Sequence, residues 1–438
     1  MKIHSFKYLW VGMLFLALYF LTLSSEAFSE ATKKSKKIKA PKATQALKKG
    51  LPPQEIQGSP KDQGVLHLDV RSAVLMDALT GQVLYEQNPN LRIPPASFVK
   101  VMTLYVIYDA LRAGQIKKDD WVTVSDTAWR RAWKTDSSKM FIKVGERVKV
   151  EDLMKGVAIA SGNDACVALA EHLSGSEEAF VSKMNEKAKL LGLKDSQFKN
   201  SDGLPAEDQY ITALDMALLS KRYIEDHPEA ITFHSTVEFE YNGIRQGNRN
   251  TLLQKNIGVD GLKTGHIKES GYHLTATAKR DGQRMIAVVM GCDRIRKRAE
   301  AAQNLLEYGF KNFVTVEAVK KSTAFGPIRI KRGKVNELSL TPAEEGRVTV
   351  VKGKENSIAV TPELPKFLTA PIQKGQVVGK VLIQNESKVV KEINLLSASD
   401  VPKSFLPSWP VILAGIFGLI VMGLIGFWWM RRPKRKKF

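Results

Sequence analysis

Tyr272-His273-Leu274-Thr275-Ala276-Thr277-Ala278-Lys279-Arg280, then Asp281-Gly282, then Arg284-Met285-Ile286-Ala287-Val288-Val289-Met290-Gly291, reads as two strands joined by a tight turn. β-Branched and small apolar residues fill both arms, and Asp-Gly is a strong signal for a two-residue hairpin. An earlier hairpin is expected from Ser72–Met76 and Val83–Tyr85, around Thr80-Gly81. Between the two hairpins, Pro94-Pro95 stops the chain, and residues 97–111, 151–173, 176–191 and 212–225 carry helix-compatible patterns. Another helix is expected over Arg298–Tyr308. Strands at both ends with helices between them predict an antiparallel sheet packed with a helical cluster, the α+β class.

Beyond about Ser322 the helical pattern stops. Short alternating segments such as Arg347–Val351, Ser357–Val360 and Val377–Ile383 are divided by Gly, Pro and Lys, which predicts a small all-β domain over 322–400. The first folded domain is expected over 63–318.

The net charge of +21 suggests nucleic acid until it is mapped. Residues 32–61 hold nine lysines and one acid, Glu55, for +8; residues 431–438 hold six basic groups and no acid; residues 1–31 sum to zero. The remainder, 21 − 8 − 6, leaves +7 for the whole folded middle. The charge therefore decorates the ends, and nucleic acid is not an expected partner. Hydrophobic residues at 44% and charged residues at 25% allow a sizeable core.

The ends read as membrane-related. A basic start, an apolar run from Tyr8 to Leu23 and small-x-Ala patterns ending at Ala27 and Ala31 predict a secretory signal peptide over 1–31. Residues 32–62 are expected to be a basic disordered linker. Val411–Met430 carries no charge and, at about 1.5 Å per residue, is long enough for a bilayer core. Tryptophans flank it, so a transmembrane helix is expected over 409–430. The basic tail 431–438 would then lie in the cytoplasm and the body on the extracytoplasmic side. Cys166 and Cys292 form no CxxC, and two buried free thiols are the favoured reading. The histidines show no HExxH spacing, so neither a metal nor another cofactor is expected.

Three short motifs carry chemistry. Ser97-Phe98-Val99-Lys100 places Ser97 and Lys100 three residues apart at a helix start, on one face. A serine hydroxyl needs a neighbour to take its proton, and a lysine can do so only when neutral. Ser161-Gly162-Asn163 precedes an apolar helix and alone reads as a cap. Lys263-Thr264-Gly265 lies at a strand edge; Lys263 supplies a second cation, and the glycine lets a substrate backbone approach.

In this order the motifs match those of penicillin-binding proteins and class A β-lactamases. The sequence resembles more closely the low-molecular-mass D-alanyl-D-alanine carboxypeptidases of the penicillin-binding protein 5 type, over about residues 65–400. Pro95-Ala96-Ser97, Ser161 to Cys166, Gly203-Leu204, Gln209-Tyr210, Asp215-Met216-Ala217, Asn248-Arg249-Asn250 and Asp260 to His266 carry that resemblance. It implies a β-lactamase/transpeptidase-like first domain and the family's C-terminal β domain. It also implies that Ser97 is acylated by peptidoglycan stem peptides, that Lys100 accepts the proton, and that Ser161 relays one to the leaving amine. Asn163 would hold substrate and lysine together. Lys263 and Thr264 would bind the terminal carboxylate, and the backbone N–H groups of Ser97 and His266 would form the oxyanion hole. Arg298 would support carboxylate recognition, although its basic surroundings equally suit a surface arginine. β-Lactams would inhibit by mimicking the substrate. A DD-endopeptidase, a β-lactamase or a wall-associated scaffold remain alternatives at this stage.

Overall fold

The computed structural model describes residues 66–133, 137–404 and 409–431. The expected signal peptide and linker, and residues 432–438 of the tail, lie outside the described residues.

The chain opens with β1 (Ser72–Asp77) and β2 (Val83–Gln87), then one 3-10 turn, Ala96–Phe98, and α1 (Val99–Arg112). Next come β3 (Trp121–Thr123), α2 (Asp126–Trp133), β4 (Arg147–Lys149) and α3 (Val150–Lys155), which ends in a wider π turn, Gly156–Ala160. The helices α4 (Asn163–Ser174), α5 (Glu177–Leu190), α6 (Ala213–Asp226) and the short α7 (Ile231–His234) follow. A small hairpin, β5 (Glu238–Tyr241) and β6 (Ile244–Gly247), leads to β7 (Val259–Ile267), β8 (Gly271–Arg280), β9 (Gln283–Cys292) and α8 (Ile295–Asn312).

The main sheet has the order β2-β1-β9-β8-β7, with antiparallel pairing throughout. The hairpin closes at Arg280 opposite Gln283, around Asp281-Gly282. Strand alternation sends Val74, Met76, Ile286 and Val288 into one core, shared with α1, α4 and α6. It sends Ala73, Leu75, Ala287 and Val289 into the other, under Ala302, Leu305 and Leu306 of α8. Burying each large aliphatic side chain contributes roughly 1.5–3 kcal/mol. The sheet is therefore covered on both faces, and β2 and β7 form its two edges.

Two expectations about helices need correction. Residues 151–173 are not one helix: the backbone breaks at Ser161, which takes a left-handed φ of 62°. Ser97 sits in the 3-10 turn, two residues before α1 begins at Val99. Residues 298–308 form the middle of the longer α8.

The second domain contains β10 (Phe313–Val319), β11 (Phe325–Lys331), β12 (Glu337–Pro342), β13 (Gly346–Val351), β14 (Ile358–Glu363), β15 (Phe367–Thr369), β16 (Val377–Asn385) and β17 (Lys388–Ser397). A six-stranded sheet, β14-β16-β17-β12-β11-β15, packs with the β10–β13 pair around Val319, Leu340, Val348, Ile383 and Leu395. Strand β10 starts inside the range expected for the first domain yet pairs with β13 of the second. Polar contacts join the two domains. Thr315 donates to Asp77 Oδ2 at 2.6 Å, and Thr80 and Thr349 hydroxyls meet at 2.9 Å.

The final helix is α9 (Trp409–Met430), and its side chains are described over 413–429. Among the described residues no helix is long and apolar enough to cross a membrane. Both cysteines are buried and free.

Candidate active site

Three segments converge beside the free edge of β7. The first is the turn carrying Ser97. It is pressed against β7 so closely that a Cβ on Gly265 would meet Ala96 Cβ and the Pro95 carbonyl at 3.3 Å. The second is the break between α3 and α4, which carries Ser161 and Asn163. The third is the loop 200–204. Gly203 takes a φ of +86°, and a Cβ there would stand 1.8 Å from the Ala96 carbonyl oxygen, so this position requires glycine.

The break at Ser161 is held from outside the helix. Asp164 is completely buried, and its carboxylate accepts the backbone N–H groups of Met140, Phe141 and Ala165 at 2.8–3.0 Å. The Asn163 N–H donates to the Ser138 carbonyl at 2.9 Å. These bonds tie the 138–142 segment to the start of α4 and turn Ser161 toward Ser97.

The sequence-derived candidates form a continuous chain. Lys100 Nζ lies 3.0 Å from Ser97 Oγ and 2.8 Å from Asn163 Oδ1, and also meets the Asp202 carbonyl oxygen. Ser161 Oγ lies 3.1 Å from Ser97 Oγ. Lys263 Nζ donates to Ser161 Oγ at 3.0 Å and to the Thr264 carbonyl at 3.2 Å. Ser97 thus has an amine on one side and a hydroxyl on the other, each able to move a proton.

Lys100 has no exposed surface, and Lys263 almost none. Burial pushes the Lys100 ammonium below the ordinary lysine range, and Arg249 adds to the effect against Asp202, Asp164 and Cys166. Lys263 is pushed down harder, by burial first and then by the charges of Lys100 and Arg249. Two buried amines with lowered pKa values suit proton transfer. Cys166, packed nearby, is pushed up to about 12 by burial and is no competing nucleophile.

The open space is a cavity of about 860 Å³, bordered by Ser97, Ser161, Asn163, Thr264, Gly265 and His266. Arg298 lines it too and is only 5% exposed, so it belongs to the site rather than to the surface basic run. Burial lowers its pKa to about 10, and its Nε finds no hydrogen-bond partner among the described residues. The His266 and Tyr272 rings stack at 3.9 Å beside it. Residues missed as candidates in the sequence are Arg249, Asp164 and Asp202. Arg249 lines the same cavity, and its guanidinium reaches the Ser138 hydroxyl. Its only signal in the sequence was the Asn248-Arg249-Asn250 stretch. Cations concentrated around hydroxyls form a pocket for a substrate with a terminal carboxylate.

Two buried histidines stiffen the frame. His234 Nδ1 lies 2.9 Å from the Leu262 carbonyl and His273 Nε2 lies 3.2 Å from the Pro94 carbonyl, which anchors β7 and the chain entering the Ser97 turn. Burial lowers them to about 3 and about 4, so both are neutral at physiological pH.

Residues 59–294 match the family described as D-alanyl-D-alanine carboxypeptidase, and residues 313–403 match the penicillin-binding protein 5 C-terminal domain. The chain is 43% identical over 338 residues to the D-alanyl-D-alanine carboxypeptidase DacC of Escherichia coli, covering 76% of this chain and 84% of that protein. It is 40% identical over 354 residues to DacA of Haemophilus influenzae, covering 80% and 87% respectively. Among solved structures it is similar to penicillin binding protein 5 from Haemophilus influenzae. There the TM-score is 0.74 at 40% identity, covering 77% of this chain and 99% of that one.

Proposed function

The chain belongs to the D-alanyl-D-alanine carboxypeptidase family, and we propose that it removes the terminal D-alanine of peptidoglycan stem peptides through an ester on Ser97. It is a serine-type hydrolase that binds penicillin. The observation that carries the residue roles is the unbroken chain Lys100–Ser97–Ser161–Lys263, with spacings of 3.0, 3.1 and 3.0 Å.

The substrate's terminal carboxylate sits among Thr264, Lys263, Arg249 and Arg298. Asn163 holds the peptide amide and the Lys100 amine in one frame. Neutral Lys100 takes the Ser97 proton as Oγ attacks the penultimate carbonyl carbon. The developing oxyanion is met by the backbone N–H groups of Ser97 and His266, the donors for which the electrostatic contribution is largest. The C–N bond breaks as Ser161 delivers a proton to the departing amine and is resupplied with the proton that Lys100 took from Ser97, so Lys100 is neutral again. Lys263 holds Ser161 in place by its hydrogen bond. D-Alanine leaves. Water then attacks the ester, giving a proton to the same base, and Ser97 is regenerated. A β-lactam acylates Ser97 by opening its ring. Its leaving group stays tethered and obstructs the water, so that ester persists.

The uncharged sequence run Val411–Met430, followed by the basic residues 431–438, supports a single membrane anchor, and the expected signal peptide supports an extracytoplasmic active site. The β-rich domain then stands between the catalytic domain and the bilayer.

The test is incubation with a diacyl-Lys-D-Ala-D-Ala tripeptide and, separately, a penicillin, followed by intact mass. D-Alanine release with a lasting penicilloyl adduct supports this reading. Rapid adduct turnover indicates a β-lactamase, and no adduct refutes the acyl-enzyme.

A further inference from the structure

Arg131, on α2, lies outside the residues assigned above yet reaches the base through one turn. Its Nη1 is 3.2 Å from Asp202 Oδ2 and 3.3 Å from Glu177 Oε1, and its Nη2 pairs with Glu177 Oε2. The Asp202 side chain is 0% exposed and that of Glu177 is 12% exposed. Glu177 Oε1 in turn accepts the Ser201 N–H at 2.9 Å and the Ser201 hydroxyl at 2.7 Å. Asp202 Oδ1 accepts the Leu204 N–H at 2.9 Å, and Thr103 donates to the Ser201 carbonyl at 2.6 Å. The turn Ser201-Asp202-Gly203 is therefore clamped by α1, α2 and α5 together. Its Asp202 carbonyl is an acceptor for Lys100, and its Gly203 lies against the Ala96 carbonyl.

We propose that Arg131 is a positioning residue for acyl transfer: by pairing with Asp202 it fixes the carbonyl that holds Lys100 and offsets a carboxylate that would otherwise keep Lys100 protonated. The inference rests on Lys100 being the base. Lys100 is faced from α4 by Asp164 and Cys166, from the 200–204 loop by Asp202, from β7 by Lys263, and from the segment before β7 by Arg249. Its neutral neighbours are Ser97 and Asn163. Of the two acids, Asp164 is saturated by backbone N–H groups, whereas Asp202 depends on Arg131 for its opposite charge. Removing the guanidinium leaves the Asp202 carboxylate without its paired cation and facing that of Glu177.

The experiment measures the second-order rate of acylation by a fluorescent penicillin from neutral to alkaline pH, using the detergent-solubilised full chain. Wild type gives a limb that rises as Lys100 loses its proton. Arg131→Gln moves the midpoint upward by on the order of one pH unit, so acylation on the limb slows about tenfold. Asp202→Asn keeps the backbone acceptor but removes the carboxylate, and moves the midpoint downward. The double variant returns toward the wild-type midpoint. A purely structural role predicts slower acylation in both single variants with an unmoved midpoint, or shifts of the same sign, and either result overturns the proposal. If Arg131→Gln does not fold, the Asp202→Asn midpoint decides: downward supports, unmoved or upward overturns. Lys100→Arg separates the two layers. Wild-type acylation in that variant refutes the base itself, whereas an inactive Lys100→Arg with unmoved midpoints elsewhere refutes only the role of Arg131.

Discussion

Ser161 Oγ stands 3.1 Å from Ser97 Oγ on a backbone that has left the helix to put it there, with φ at 62°. A left-handed conformation costs a non-glycine residue about 1 kcal/mol or more, so the break is maintained by the Asp164 and Asn163 bonds to the 138–142 segment. Ser161→Gly removes the hydroxyl and suits the backbone. It is expected to fold with unchanged or slightly raised Tm while D-alanine release falls by about 10²–10³-fold. Thermal melting and a steady-state assay check both halves. Retained activity would remove Ser161 from the proton path.

The buried lysines link stability to pH. Both have folded-state pKa values below the ordinary lysine value near 10.4, so the unfolded chain binds more protons in the pH window between the folded and unfolded values. Their burial therefore weakens the fold below their folded pKa values, and stability recovers as pH rises through those values toward the unfolded one. Lys263→Met is expected to flatten this rise, gaining about 1 kcal/mol at neutral pH relative to its difference from wild type at alkaline pH. Denaturant titrations at both conditions test it, and parallel wild-type and variant slopes would contradict it.

Gly203→Ala places a Cβ on the Ala96 carbonyl at 1.8 Å in a backbone with φ of +86°. Either the fold loses more than about 2 kcal/mol, or the Ser97 turn moves and acylation is lost. Denaturation together with penicillin labelling distinguishes these. A variant matching wild type in both would contradict the close approach.

Asp77 ties the domains together. It is fully buried and accepts Leu79 N–H at 2.9 Å, Thr80 N–H at 2.8 Å, Gln283 at 3.1 Å and Thr315 at 2.6 Å. Asp77→Ala leaves several donors unpaired and is expected to cost about 3 kcal/mol, seen as a lower Tm, while penicillin acylation of the folded fraction is unchanged. Loss of acylation at full stability would contradict a purely structural role.

What could be read from the sequence follows the reach of each physical signal. The hairpin across Asp281-Gly282 was legible because strand alternation and turn chemistry are both local. The order of Ser97, Lys100, Ser161, Asn163 and Lys263 was legible as motifs. The break at Ser161 was not, because Gly156–Ala160 and α4 are both apolar and small, and what ends the helix is a distant segment bonding to Asp164. Arg298 resembled its exposed neighbours Arg294 and Arg296, and only the packing of α8 on the sheet shows that it faces the cavity. Asp202 and Arg131 lie 71 positions apart, a separation at which no local pattern reports a contact.

The central claim is the ester on Ser97, and peptide mapping of the penicillin-treated chain tests it most directly. The account predicts one penicilloyl group on the peptide containing Ser97, stable over the experiment, and none in Ser97→Ala although that variant melts like wild type. An adduct on another residue, or an undiminished adduct in Ser97→Ala, would contradict it.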